Sequence, residues 1–176
     1  MRLFRIRGGV HPEARKQLAA GQPIEDLPLP ALLHVPLQQH IGTPAAPLVH
    51  RGQRVLKGDL LGHAQGAISA PVHAPTSGRI MGVGSYPAHH ASGLSVRTIT
   101  LQPDGEDRWR DDLAGTGDPF ALEPEDITAR VAAAGIVGMG GATFPAAVKL
   151  NLRQRYRLHT LVINGAECEP YLTCDD

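Results

Sequence analysis

Long apolar runs are missing from this 176-residue chain. None approaches the roughly 20 apolar residues that span a bilayer as a helix. Any membrane association is therefore expected to come through partners. The opening Met1-Arg2-Leu3-Phe4-Arg5-Ile6-Arg7-Gly8-Gly9 lacks an apolar core and a small-residue cleavage site. It does not read as a signal peptide. Cysteine is scarce, with only Cys168 and Cys174. Two thiols alone complete neither a zinc site nor a four-cysteine iron–sulfur site. Without a secretion signal they are expected as reduced cytoplasmic thiols. Charge of one sign is missing too: 17 basic residues balance 17 acidic ones and the pI is about 7.1. Nucleic-acid binders show a basic face and a high pI, so that class is excluded. Aromatics are few, with three Phe, three Tyr and one Trp.

Glycine and proline are plentiful instead. The chain has 20 Gly and 15 Pro, about a fifth of its residues against an average near 12%. That favours turn-rich β structure over long helices. Residues 1–30 read as an extended arm broken by Pro12, Pro23, Pro28 and Pro30, with one short helical turn between Glu13 and Ala20. Residues 31–102 read as short strands forming a small all-β sandwich or barrel. Leu32 to Leu37 carries a proline and suits an edge strand. Val55 to Leu61 holds the turn Lys57-Gly58-Asp59. Val72 to Met81 reads as a strand, a Ser77-Gly78 turn and a second strand. Leu94 to Leu101 alternates apolar and polar residues and gives the clearest strand.

Residues 103–124 are polar and rich in breakers, and read as a linker. From 125 the pattern turns helical. Ile127, Val131 and Ala134 share one face of a helix over Glu125–Ala134. Glu125 and Asp126 suit its first turn, and Gly135 suits its C-terminal cap. A second helix is expected over Ala146–Arg155. Thr160 to Asn164 is expected as a buried strand of a parallel sheet. Residues 125–176 are too few for an independent domain, so they are expected to be the beginning of a larger one.

Four groups of residues carry chemical readings. The first is Val49 to Leu61 followed by Ala74-Pro75-Thr76-Ser77-Gly78-Arg79-Ile80. It resembles the biotinyl/lipoyl-type domain, whose fold is a barrel-sandwich hybrid. A swinging carrier needs a lysine at the hairpin tip, and Leu60 to Thr76 contains none. The resemblance therefore implies a scaffold and not a carrier. The second group, nine histidines, shows no metal-ligand spacing. His89 and His90 are adjacent, which on a strand sends them to opposite faces. No metal site is expected.

The third group is the loop Gly138-Met139-Gly140-Gly141-Ala142-Thr143-Phe144-Pro145, with Lys149 beyond it. Close glycines let backbone N–H groups approach a ligand without a Cβ in the way. Lys149 adds a point charge. The loop follows a helix and not a strand, and has Thr143 where the dinucleotide fingerprint has glycine. A tight turn between helices is the plain alternative. The fourth group is Asn164-Gly165-Ala166-Glu167-Cys168-Glu169-Pro170. It sets an amide and two carboxylates at the end of the expected strand, where α/β sheets bind ligands. A solvated turn is the alternative.

Together the last two groups resemble the flavin- and NADH-binding domain of the flavoprotein subunit of respiratory complex I. That family pairs a G-R-G-G-A-G-F-P-x-G-x-K loop with an N-A-D-E-x-E-P strand end. Here Met139 replaces Arg, Thr143 replaces Gly and Ala166 replaces Asp. Further runs narrow the resemblance to the RnfC family, also called RsxC: Gly8-Gly9-Val10-His11-Pro12, Pro36 to Gly42, Ser69 to Gly78 and Ile163 to Tyr171. The resemblance covers essentially the whole chain. It implies a peripheral subunit of a bacterial ion-translocating electron-transport (Rnf) complex on the cytoplasmic face of the inner membrane. Such a subunit is an NADH-linked oxidoreductase that passes electrons between NAD(H) and ferredoxin-type carriers. It uses FMN and two 4Fe–4S iron–sulfur clusters, which would be bound by cysteines beyond residue 176. The other subunits of the complex and NADH are the implied partners. Gly138, Gly140, Gly141 and Ala142 would let FMN and the nicotinamide cofactor approach. Phe144 would pack on the cofactor, and Lys149 would meet a phosphate or ribose. Asn164 and Glu167 would hold FMN, and Glu169 would meet NADH. By this resemblance the 176 residues alone would be inactive. A docking module without redox chemistry, like the quinone-reductase subunit NqrA, is the alternative, and it has no need of the loop.

Overall fold

The structure is a computed structural model describing residues 12–88, 92–113, 115, 117–151, 159–162 and 169–172. The chain divides into two compact units, one of residues 1–27 with 158–176 and one of residues 28–157.

Among its described residues the larger unit is built on seven strands: β1 (Leu33–Pro36), β2 (Ala46–Pro47), β3 (Arg54–Val55), β4 (Leu60–His63), β5 (Val72–His73), β6 (Gly78–Pro87) and β7 (Ser95–Pro103). They form a four-stranded sheet in the order β1-β7-β6-β3 and a three-stranded sheet in the order β2-β4-β5. The pairings between these strands are antiparallel. β6 and β7 make the long central hairpin, with a bulge between Ile80 and Gly82. The proline-bearing β1 lies at a sheet edge, where a missing N–H costs no ladder bond. Strands on both sides of Ser77-Gly78 form as expected, but they belong to different sheets. The Ser-Gly turn is thus a corner of the fold and not the tip of a hairpin.

One apolar core joins the two sheets. Leu61 and Val72 from the smaller sheet meet Val35, Val55, Ile80, Ile99 and Leu101 from the larger. Leu37, Leu61, Ile80, Ile99 and Leu101 have no exposed surface. Each such side chain contributes on the order of 2 kcal/mol by burial. Lys57 is fixed in its turn by an ion pair of 2.6 Å to Asp107 and lies 4.8 Å from the centre of the Trp109 ring. Gly58 takes φ 88° to make that turn, a backbone state that glycine enters without a Cβ penalty. Residues 104–110 fold back on the barrel: Asp104 N–H donates to the Ser77 carbonyl at 3.1 Å and Lys57 N–H donates to that of Arg108 at 2.8 Å.

Helix α1 (Pro124–Ala133) begins with proline at its first turn and keeps Glu125 and Asp126 there, in line with the fixed φ and the macrodipole. It ends in a Schellman motif. The Ile136 N–H reaches the Val131 carbonyl at 3.3 Å and the Gly135 N–H that of Ala132 at 3.1 Å, with Gly135 at φ 70°. Helix α2 (Ala146–Leu150) packs against α1. The remainder of the helix expected to Arg155 lies outside the described residues.

The strand expected over Thr160–Asn164 is corrected over its described part, Thr160 to Val162, while Ile163 and Asn164 lie outside the described residues. Thr160, Leu161 and Val162 carry no strand, and Leu161 and Val162 are each 83% exposed. A wholly apolar strand is held by pairing and by cover on both faces. No described strand supplies either. In the smaller unit Lys16–Leu18 forms a single 3-10 turn, and Tyr171 N–H donates to the Ala14 carbonyl at 2.9 Å.

Candidate functional site

Gly135 ends α1 and starts the glycine-rich loop. Backbone pairing closes the loop at its base. Val137 bridges Pro145 in antiparallel fashion. Gly138 N–H donates to the Phe144 carbonyl at 2.9 Å, and Ala146 N–H donates to that of Ile136 at 2.9 Å. Higher up, Thr143 N–H donates to the Gly140 carbonyl at 3.0 Å. Pro145 is buried, while Met139, Gly140, Gly141 and Ala142 are exposed. The loop is a pinned base carrying an open tip.

Among the described residues, no group accepts the backbone N–H of Met139, Gly140, Gly141 or Ala142. Four successive uncommitted donors can face an anion or a polar ring edge. A Cβ at Gly140 or Gly141 would meet nothing within 4 Å, and neither residue has a left-handed φ. The fold itself therefore places no demand for glycine at either position. Thr143, by contrast, is held at φ 41°, a state in which a β-branched residue is strained.

Lys149 is on α2, and its ammonium lies 5.8 Å from the centre of the half-buried Phe144 ring. This geometry is within cation–π range and holds a positive charge beside the loop. The structure thus brings together Gly138, Gly140, Gly141, Ala142, Phe144 and Lys149. Asn164 and Glu167 lie outside the described residues. Glu169 is exposed in the smaller unit, where its carbonyl accepts from the Lys16 ammonium at 3.4 Å.

A support beneath the loop is not apparent from residue spacing. His40 is 6% exposed, and its Nδ1 lies 3.1 Å from the Ile41 carbonyl oxygen. Its Nε2 lies 3.1 Å from the Ala70 amide. Ala70 precedes Pro71, whose carbonyl lies against Gly135. Among the described residues no group of three or more His, Cys, Asp or Glu could hold a metal. No described helix is long and apolar enough to cross a membrane.

Comparisons with known proteins converge. The family model described as the RnfC barrel sandwich hybrid domain matches residues 4–106. That described as the Nuo51 FMN-binding domain matches residues 131–176, including the loop. The chain is similar to the C subunit of the ion-translocating oxidoreductase complex of Rhodobacter capsulatus. The two are 62% identical over 173 residues, covering 98% of this chain and 33% of that protein. The protein of the same name from Pseudomonas aeruginosa is 47% identical over 174 residues, with 99% and 22% covered. The C subunit of the proton-translocating ferredoxin:NAD(+) oxidoreductase complex of Clostridium ljungdahlii is 40% identical over 170 residues, with 97% and 37% covered. Between these three, the chain spans from 22% to 37% of the relatives' length.

Proposed function

The chain belongs to the RnfC family, and from that premise we propose that it is the part of an ion-translocating oxidoreductase component that begins the FMN site. The observation that carries this reading is the pair Gly140 and Gly141. Both are glycine where the fold has no use for glycine, at the tip of a loop within the segment that matches an FMN-binding domain. A ligand approaching the backbone closely would account for that choice.

The residues present fit a flavin nucleotide. The free N–H groups of Met139 to Ala142 would bond polar edges of the ring system or a phosphate oxygen. Phe144 would offer an apolar face, and Lys149 a charge for a phosphate or ribose. Met139 stands where the flavoprotein pattern has Arg, so the charge at this loop falls to Lys149. Asn164 and Glu167 would bond the same cofactor, and Glu169 would meet NADH. FMN, when bound, supplies the hydride and single-electron chemistry, while the protein positions and tunes it.

In this reading the full-length protein passes electrons between NAD(H) and ferredoxin-type carriers, with two 4Fe–4S clusters bound beyond residue 176. It works as a peripheral component on the cytoplasmic face of the bacterial inner membrane, beside the other Rnf subunits, as part of a translocase. The barrel is the scaffold that holds the loop. The 176 residues alone are expected to bind FMN weakly and to be inactive.

The test is an FMN titration, followed by flavin fluorescence quenching, of a polypeptide spanning the relatives' length. Gly140→Val is expected to abolish quenching while leaving the thermal unfolding midpoint within about 2 °C, the scale of a surface substitution. Unchanged FMN affinity in that variant would remove the loop's assigned role. Absence of any flavin binding in the unsubstituted polypeptide would favour the non-redox docking module.

A further inference from the structure

On the four-stranded sheet, Arg54 of β3 stands directly opposite Arg79 of β6, and Arg79 stands opposite Gln102 of β7. Cross-strand partners share one face of a sheet with their Cβ atoms about 5 Å apart. The three side chains therefore form a row on the outer face, and all three residues are exposed. Two like charges in direct register destabilise a sheet. Here nothing in the described fold offsets the cost: neither guanidinium has an acidic or hydrogen-bonding partner among the described residues.

The row lines a cleft of about 780 Å³, and the cleft also contains acids. Each carboxylate is already engaged. Asp104 accepts from Ser77 at 2.6 Å and from Arg108 at 3.1 Å. Glu106 pairs with Arg108 at 2.9 Å, and Asp59 accepts the Leu56 N–H at 2.7 Å. The third arginine of the cleft, Arg108, pairs with two of its acids, Asp104 and Glu106, whereas Arg54 and Arg79 have no such partner among the described residues.

We propose that the Arg54–Arg79 row is a docking site for a carboxylate-bearing segment of a partner protein. Two adjacent guanidinium forks suit side-chain carboxylates, which they bind in bidentate fashion. The acids Asp59, Asp104 and Glu106 in the same cleft disfavour a free phosphate dianion more than a carboxylate carrying a single charge. A protein partner is also what the relatives' names call for, since each is one subunit of a complex. The site shares no residue with the glycine-rich loop and does not depend on the flavin reading.

The experiment is amide chemical-shift mapping of the 176-residue chain, titrated with a blocked hexaglutamate peptide. Hexalysine and inorganic phosphate are the controls. Shifts centred on Arg54, Arg79 and Gln102 are expected, with affinity falling about tenfold or more in Arg54→Gln/Arg79→Gln, as loss of charge-assisted pairs implies. The double lysine variant, which keeps charge and loses the fork, is expected to fall between. The glutamine variant is expected to unfold at the same or higher temperature, because like-charge repulsion is removed. Peptide shifts elsewhere, or equal affinity in the glutamine variant, would overturn the proposal. So would phosphate binding as tightly as the peptide, or preferential binding of hexalysine.

Discussion

The carbonyl oxygen of Pro71 lies 2.6 Å from the point that a Cβ on Gly135 would occupy, while Gly135 stands at φ 70°. This contact ties the barrel to the root of the glycine-rich loop. It also separates two kinds of glycine in one short segment. Gly135 is required by the fold, whereas Gly140 and Gly141 are not.

Gly135→Ala is therefore expected to destabilise the chain by at least about 2 kcal/mol. The left-handed backbone alone costs an L-residue about 1–2 kcal/mol, and a Cβ against a carbonyl oxygen adds to it. Urea unfolding should show a lower midpoint with an unchanged slope. Gly140→Ala in the same assay should shift stability by less than about 0.5 kcal/mol, the surface range. Equal losses at the two positions would mean that the distinction is wrong.

His40→Leu tests the support beneath that contact. The imidazole is buried and lies within bonding distance of the Ile41 carbonyl and the Ala70 amide. Leucine fills similar space but leaves the amide without its partner, at a cost of about 1–3 kcal/mol. Hydrogen exchange should show the Ala70 amide losing protection before the core strands do. A variant as stable as the parent would show that the two bonds contribute nothing net.

What can be read from the residues depends on periodicity. Leu94 to Leu101 alternates, and β7 forms at Ser95–Pro103. Ile127, Val131 and Ala134 mark one face of α1, whose span of Pro124–Ala133 differs from the expected Glu125–Ala134 by one residue at each end. β2 and β3 have two residues each, too few to display a period. Thr160 to Ile163 resembles a strand because every side chain but one is apolar. Composition alone cannot supply the neighbour a strand needs. The loop is legible as a glycine cluster, and Lys149 as its cation. The strain at Thr143 is legible only as a departure from a glycine in the flavoprotein pattern. His40 is not legible, because its role comes from backbone groups that folding brings to it.

Thr143→Gly is expected to stabilise the chain. Thr143 is held at φ 41° by the closure of the loop onto Gly140. Removing its Cβ relieves about 1–2 kcal/mol of left-handed strain. The added freedom of glycine in the unfolded chain returns about 0.5–1 kcal/mol. The net gain should lie between about 0 and 1.5 kcal/mol, centred near 0.75, and be read as a rise in the thermal midpoint. A fall would show that the threonine side chain makes a contribution larger than its strain.

Acid acts on the fold through Asp104. Asp104 has its carboxyl lowered from 3.8 to about 2, first by the Ser77 hydroxyl bond, then by the Glu106 amide, with Arg108 adding to both. A carboxyl that is more acidic folded than unfolded stabilises the fold at pH values above about 3.8. That contribution is lost as pH falls towards about 2. Asp104→Asn should therefore flatten the stability profile between those values and leave its shape near neutrality unchanged. Ser77→Ala removes the leading cause and should move the titration of Asp104, followed by carboxyl NMR, back towards 3.8. If the titration stays near 2 in that variant, Arg108 and the Glu106 amide hold the charge, and the corner between β5 and β6 is secured by the ion pair and not by the hydroxyl.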